Sequence, residues 1–103
     1  MTNYRKGYNF ERECKELLEK EGYFVVRSAG SHSPFDLVAF NENETLLLQL
    51  KRAKKIYLNS LVTLFKRDLI ENKLEYLTKP QKARVEVWTR EDDNSIVRTK
   101  VFL

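Results

Sequence analysis

Three polar side chains near one predicted turn, those of Asp36, Gln49 and Lys51, have the types that phosphodiester hydrolysis requires. The apolar segments on either side of the turn-forming residues 41–44 are predicted strands of an antiparallel hairpin. Facing positions in such a hairpin are equidistant from the centre of the turn, so Asp36 is expected opposite Gln49. Lys51 lies two residues further along and is expected on the same face. A carboxylate, an amide oxygen and an ammonium at one strand end predict a Mg²⁺-dependent nuclease site.

The strands that carry these residues are apolar on both faces. Alternation assigns Val38, Phe40 and Leu47 to the same face as the three polar side chains. It assigns to the opposite face Phe35, Leu37, Ala39, Leu46, Leu48 and Leu50. A hairpin of this kind is typical of the centre of a sheet that helices cover on both sides. Polar groups there cost free energy unless they are paired, which favours a functional role. The alternative is a surface salt bridge between Asp36 and Lys51, and the hairpin alone leaves it open.

Length and composition limit the class of protein. The 103 residues, 42% of them apolar, predict a single domain over 1–103. No apolar run is long enough to cross a membrane, and the first residues lack a signal-peptide pattern. The lone cysteine, Cys14, excludes an internal disulfide framework and a multi-cysteine zinc site. Its place on an apolar helical stripe predicts a core residue. These features predict a cytoplasmic protein.

The positive charge is clustered. The formal net charge is +4, and the second hairpin strand runs into four cations, Lys51, Arg52, Lys54 and Lys55. A basic run that begins at a candidate metal site favours phosphate binding, since affinity for nucleic-acid backbones comes mainly from such residues. A solvated loop is the alternative.

Periodicity along the chain predicts the order αβββαββ. The first helix carries an apolar stripe and ends near Gly22, and the second is capped by Asn59 or Ser60 and reaches about Thr78. The predicted strands are 23–28, 35–40, 45–51, 84–89 and 95–103. This order predicts an α/β fold with a central mixed sheet flanked by helices.

Motifs in the first half of the chain resemble a known family. They are Arg5-Lys6-Gly7 with Phe10-Glu11-Arg12-Glu13, then Val25-Val26-Arg27-Ser28-Ala29-Gly30-Ser31, then Asp36 and Gln49-Leu50-Lys51. Together and in this order they closely resemble the archaeal-type Holliday junction resolvases of the PD-(D/E)xK nuclease superfamily. The resemblance implies a restriction-endonuclease-like fold and paired phosphodiester hydrolysis in four-way DNA junctions. It further implies Mg²⁺, with Mn²⁺ as a substitute, and a homodimer whose interface is expected on the final strands or the second helix.

Carried over residue by residue, the resemblance implies a catalytic set of Glu11, Asp36, Gln49 and Lys51. Asp36 is the central metal ligand, Glu11, Gln49 and the Leu50 carbonyl complete the metal site, and Lys51 orients or polarises the attacking water. Glu11 is expected in the first turn of its helix, where complementing the helix dipole is the alternative. The implied DNA-binding residues are Arg12 and Arg27 on the backbone and Ser31 in a substrate loop, joined by the basic residues Arg5, Lys6, Arg52, Lys54 and Lys55.

Gln49 departs from the family pattern, which usually has an acidic residue at this position. Three explanations fit: a natural variant that still holds metal, an engineered inactivating change, and a branch that binds DNA without cutting. Two alternatives to a junction resolvase therefore stay open. One is a related nuclease acting on flaps, single strands or duplex, and the other is a catalytically silent DNA-binding relative.

Overall fold

The computed structural model describes residues 3–28, 33–79 and 82–103, with side chains from residue 5 onward. The elements are helix α1 (Asn3–Lys20), strands β1 (Phe24–Arg27), β2 (Leu37–Phe40) and β3 (Thr45–Ala53), helix α2 (Leu58–Glu71), a 3₁₀ helix (Glu75–Thr78), and strands β4 (Arg84–Glu91) and β5 (Val97–Lys100). The predicted order αβββαββ is confirmed, with the 3₁₀ helix added after α2.

The strands form one mixed sheet in the order β1-β2-β3-β4-β5. Strands β3 and β4 run parallel, and their neighbours pair antiparallel. Parallel neighbours require a crossover connection, which α2 supplies between β3 and β4. In the hairpin, Leu37 faces Leu48 and Phe40 faces Thr45, so the predicted register is confirmed.

Two apolar clusters lie on opposite faces of the sheet. The α1-side core contains Phe10, Cys14, Leu18, Val25, Leu37, Ala39, Leu46, Leu48 and Trp88. The α2-side core contains Phe35, Leu47, Phe65, Leu69, Val85, Val87 and Val101. Strand β3 contributes to both, because successive side chains of a strand point to opposite faces. The sheet is therefore covered by a helix on each side, as the two-faced apolar hairpin predicts.

Cys14 is fully buried in the α1-side core. Burial raises the pKa of its thiol to about 12, with a further contribution from the nearby Glu13 carboxylate. The thiol therefore stays protonated and behaves as a small apolar side chain, which confirms the prediction of a core residue.

The second helix differs from its predicted bounds at both ends. It begins at Leu58, after Tyr57, and no side chain caps its first turn. Asn59 and Ser60, the predicted capping residues, lie inside that first turn. It ends at Glu71, and Lys73 then adopts a positive φ of 57° that reverses the chain direction. The predicted extension to Thr78 was wrong because the 3₁₀ helix keeps apolar side chains, Leu77 among them, against the α2-side core.

Strict alternation also fails just before β2. It places Phe35 on the face of Leu37, but Phe35 belongs to the α2-side core and Leu37 to the α1-side core. The Phe35 ring packs edge-on against Phe65, with centroids 6.0 Å apart and an interplanar angle of 81°. Because regular pairing starts only at Leu37, this contact decides which way Phe35 points.

Candidate active site

Asp36 is fixed by three hydrogen bonds at the start of β2. Its backbone N–H donates to the Leu48 carbonyl over 2.7 Å, and its own carbonyl accepts from the Ser28 N–H over 3.0 Å. Its carboxylate oxygen Oδ2 accepts from the Leu50 N–H over 2.8 Å. The carboxylate is thus bound to the middle of β3 and has little freedom to move.

A pocket of about 180 Å³ opens between α1 and the hairpin at this point, lined by Gly7, Phe10, Glu11, Asp36, Leu50 and Arg52. Two of its lining groups are carboxylates, one from α1 and one from the hairpin. Glu11 and Asp36 are thereby brought together as the family resemblance implies, although they come from separate elements.

Glu11 does not lie in the first turn of its helix. Helix α1 begins at Asn3, and its first turn carries no acidic residue. Glu11 follows about two turns later, beyond the reach of the dipole at a helix end. Complementing the helix dipole therefore does not explain this carboxylate.

The pKa of Asp36 is raised above its ordinary value. Desolvation by burial is the largest cause, and the nearby Glu11 carboxylate raises the pKa further, while the hydrogen bond from Leu50 partly opposes them. Burial and a like charge both disfavour the ionised form. A cation in the pocket would relieve both, so the pocket is suited to binding positive charge.

The donor set fits a hard divalent cation with few protein ligands. Two carboxylates line the pocket, and Leu50 also lies at its wall. Over the described ranges 3–28, 33–79 and 82–103, no group of three or more acidic, histidine or cysteine side chains could hold a metal. Mg²⁺ commonly keeps several waters and takes one or two carboxylates, so such a set suffices.

Gln49 and Lys51 are not among the residues that line this pocket. Along β3, Leu47 packs in the α2-side core and Leu48 in the α1-side core, so alternation directs Gln49 and Lys51 toward the α2 side. Asp36 turns instead toward α1. The expectation that all three side chains share one face is therefore wrong, because the hairpin departs from alternation at Asp36.

The predicted DNA-binding residues fall into three groups. Exposed side chains are those of Arg5, Arg12, Lys54 and Lys55, and Lys6 is half-buried. Two cations are held by carboxylates or carbonyls: Arg27 donates to Glu11, and Arg52 donates to the Asp92 carbonyl over 2.9 Å and pairs with Asp93. Ser31 lies outside the described residues. The structure therefore places one set of cations at the surface, while Arg27 is bound to Glu11 of the pocket and Arg52 to residues 92 and 93 after β4.

Sequence reasoning missed two contacts around the pocket. Arg27 lies over the Tyr8 ring, 5.5 Å from its centroid, while its Nε donates to Glu11 over 2.5 Å. Arg52 lines the pocket itself rather than extending freely toward solvent. No local sequence pattern predicts either contact, because the partners lie on different elements far apart in the chain.

Comparison with known proteins decides the family. Residues 2–91 match the family model of the archaeal Holliday junction resolvase, Hjc. The chain belongs to this family. Membership of this nuclease family implies a divalent metal cofactor, in agreement with the two carboxylates in the pocket.

Two Hjc proteins show how far the similarity extends. The crossover junction endodeoxyribonuclease Hjc of Methanocaldococcus jannaschii is 52% identical over 58 residues, 54% of this chain and 43% of that protein. This match thus spans less than half of the relative's length. The solved structure of Archaeoglobus fulgidus Hjc, a Holliday junction resolvase from an archaeal hyperthermophile, matches with a TM-score of 0.65. It is 23% identical, and the match covers 92% of this chain and 72% of that one. The predicted restriction-endonuclease-like α/β fold is confirmed.

Neither helix in the part of the chain that the structure describes is both long and apolar enough to cross a membrane.

Proposed function

We propose that this protein is a metal-dependent DNA endonuclease that resolves four-way junctions by paired phosphodiester hydrolysis, within a single nuclease domain. The observation that carries the proposal is the pocket in which the Asp36 carboxylate, tied to the Leu50 N–H, meets Glu11 of α1. Family membership and the names of the two similar Hjc proteins support the junction as substrate. A DNA substrate also agrees with the cytoplasmic location that the sequence predicts.

Asp36, Glu11 and the Leu50 carbonyl would hold the metal, which we propose is Mg²⁺ with Mn²⁺ as a substitute. Bound there, it would lower the pKa of water and stabilise negative charge on the phosphate. Asp36 and Glu11 supply the charge that retains it, and the rigid hydrogen bond to Leu50 fixes one ligand direction. The scissile phosphate would then lie at this pocket.

Lys51 and Gln49 act from the other side of β3 in this proposal. The Lys51 side chain is exposed, and its ammonium would orient or polarise the attacking water and stabilise charge on phosphorus. Gln49 is half-buried, and its amide oxygen would serve as a neutral ligand. Neither side chain lines the pocket in the DNA-free protein, so these roles require a rearrangement when DNA is bound.

The DNA backbone would lie along the cations that surround the pocket. We assign phosphate contacts to the exposed Arg5, Arg12, Lys54 and Lys55, to Lys6, to Arg27 and Arg52, and to Ser31. Such contacts are independent of base sequence and weaken with salt. They agree with recognition of a branched shape rather than a sequence.

Cleavage of a labelled four-way junction tests the activity, and Gln49→Glu tests the variant ligand. We expect paired symmetric nicks with Mg²⁺ or Mn²⁺, none in EDTA, and strong preference for the junction over duplex and flap DNA. Gln49→Glu adds a negative charge near the metal. We expect it to lower the metal concentration for half-maximal cleavage by about tenfold, the usual change in metal affinity when one group around a metal is altered.

Two other outcomes would replace this function. Equal cutting of junctions, flaps and duplex indicates a general nuclease of the same fold. DNA binding that is identical in Mg²⁺ and EDTA, with no cutting by either version, indicates a silent DNA-binding relative. Cutting by Gln49→Glu alone identifies the glutamine as the silencing change.

Paired cuts require two sites, so we propose a two-fold symmetric homodimer. Support comes from an apolar surface on β1 and β2, formed by Phe24, Val26 and Phe40, which are 65%, 45% and 42% exposed. The centroids of the Phe24 and Phe40 rings are 5.3 Å apart. Both rings lie on the α2 side of the sheet, in the part of that face that α2 does not cover. This contiguous patch is a better interface than the scattered exposed apolar residues of α2 and the final strands.

Phe24→Glu is expected to shift the protein from dimer to monomer, because it would bury an unpaired charge against the partner copy. Sedimentation across a concentration series measures the change, with a dissociation constant raised by about 100-fold or more as the expected result. Tyr76→Glu is the control, since Tyr76 is also exposed but lies on the 3₁₀ helix. Equal sedimentation of the Phe24→Glu variant and the unaltered protein would place the interface elsewhere.

A further inference from the structure

The contact between Arg27 and Glu11 occupies one of the two carboxylates of the candidate metal site. The Arg27 Nε lies 2.5 Å from Glu11 Oε1, and the guanidinium also covers the Tyr8 ring. The Glu11 side chain is 22% exposed, whereas that of Arg27 is 51% exposed. The carboxylate is thus the more enclosed partner, and the cation reaches it from the solvent side.

Arg27 reaches Glu11, which lines the pocket, because of its place in the sheet. It is the last residue of β1, and it pairs in register with Leu37, the residue that follows Asp36. The next residue, Ser28, bonds directly to the Asp36 backbone. The guanidinium is therefore held beside Glu11 by the same hairpin edge that positions Asp36.

A metal and Arg27 compete for the same carboxylate. With Arg27 in place, the charge of Glu11 is largely compensated, and Asp36 alone offers its full negative charge to a divalent ion. Glu11 and Asp36 line the same pocket, so an ion bound there would be near both carboxylates. Release of Glu11 would give the metal a second unpaired carboxylate.

A DNA phosphate offers Arg27 an alternative partner. The guanidinium presents a planar fork of donors that matches a phosphate and can bind it bidentately. Half of the side chain is already exposed, so a phosphate can approach it without disturbing the core. Transfer of the guanidinium from Glu11 to phosphate would free the carboxylate at the moment the scissile strand arrives.

We propose that Arg27 is a built-in counter-ion of Glu11, which it holds in the DNA-free protein and releases on binding a DNA phosphate, so that DNA and metal strengthen each other's binding. This inference rests on the proposed nuclease function and goes beyond a simple contact between Arg27 and the DNA backbone. Arg27 is a positioning residue in this scheme, because it acts on the metal through Glu11. Thermodynamic linkage requires the effect to be reciprocal.

Titration with Mn²⁺, followed by the loss of the free-ion electron paramagnetic resonance signal, tests the proposal without reference to cleavage. In the absence of DNA, we expect Arg27→Gln to bind Mn²⁺ about fivefold more tightly than the unaltered protein, the lower end of usual coupling between sites. Plain duplex, checked by gel to remain uncut, then serves as the source of phosphate. It should tighten Mn²⁺ binding of the unaltered protein by a similar factor and leave Arg27→Gln unchanged.

Arg12→Gln is the matched control. Arg12 follows Glu11 directly and is exposed, and among the described residues no ion pair joins it to Glu11 or Asp36. Its loss should weaken DNA binding and leave the DNA-free Mn²⁺ affinity within twofold, so it separates removal of the Glu11 partner from a general loss of positive charge. Thermal unfolding of each variant verifies that the fold persists.

The outcomes distinguish this inference from the proposed function. Saturable Mn²⁺ binding that is equal in Arg27→Gln and the unaltered protein overturns the counter-ion role and leaves the metal site intact. An equal gain in Arg12→Gln and Arg27→Gln also overturns it, because the effect is then one of net charge. Absence of saturable Mn²⁺ binding in every version overturns both the inference and the proposed metal site.

Discussion

Asp36→Asn is expected to lower the rate of junction cleavage by about a thousandfold or more, the scale of removing a group that stabilises developing charge. The carboxylate is the central negative group of the pocket, and asparagine has nearly the same shape without the charge. The amide oxygen can still accept the Leu50 N–H, so the hairpin geometry should be kept. Single-turnover cleavage at saturating Mg²⁺ measures the effect.

Stability provides the control for this variant. Burial favours the neutral form of Asp36, which its raised pKa records, so a neutral isostere should not lower the free energy of unfolding at neutral pH in EDTA. Because its pKa is raised, the folded protein binds the Asp36 proton more tightly than the unfolded chain does. The contribution of Asp36 to the free energy of unfolding is therefore lost as pH rises through its folded pKa. A variant that folds normally and still cuts at more than a tenth of the original rate would contradict the assigned role.

Trp88→Ala is expected to have the largest effect on stability. Trp88 is fully buried in the α1-side core, and its indole N–H donates to Glu86 over 2.9 Å. The Arg98 guanidinium lies 4.1 Å from the ring centroid and also pairs with Glu21 at the end of α1. Truncation of a buried aromatic residue costs about 3–5 kcal/mol, a large share of the roughly 5–15 kcal/mol that stabilises a small domain.

Urea unfolding followed by far-ultraviolet circular dichroism measures this loss, since the chain has only this tryptophan and its fluorescence disappears with it. Trp88→Phe is the matched control. It keeps most of the apolar volume and removes the donor to Glu86, whose carboxylate retains Arg84 at 2.7 Å, so about 1–2 kcal/mol should be lost. A cost below about 1 kcal/mol for Trp88→Ala would mean that the core closes over the cavity.

The sequence was sufficient for features that depend on local patterns. The hairpin register follows from a turn between two apolar segments, and the apolar stripe of α1 correctly predicts Cys14 as a core residue. These predictions succeed because periodicity and turn chemistry act over a few residues. The family motifs then point to Asp36 and Glu11, which the structure brings to one pocket.

Features that depend on distant contacts could not be predicted in this way. Alternation gives Phe35 the wrong face, because its contact with Phe65 on α2 overrides the strand pattern. The pairing of Arg27 with Glu11 and of Arg52 with the Asp92–Asp93 turn joins separate elements. Periodicity contains no information about such pairs, so the sequence predicts Arg27 and Arg52 as DNA-binding residues without indicating their protein partners.

The reversal at Phe35 and Asp36 ties the two layers of this small protein together. Phe35 is anchored on the α2 side of the sheet, and the very next residue places its carboxylate on the α1 side. A substitution on α2 that shifts Phe65 would therefore displace Asp36 through a single peptide unit. Packing in the α2 layer therefore limits where the Asp36 carboxylate can lie, so the two layers cannot be redesigned independently of each other.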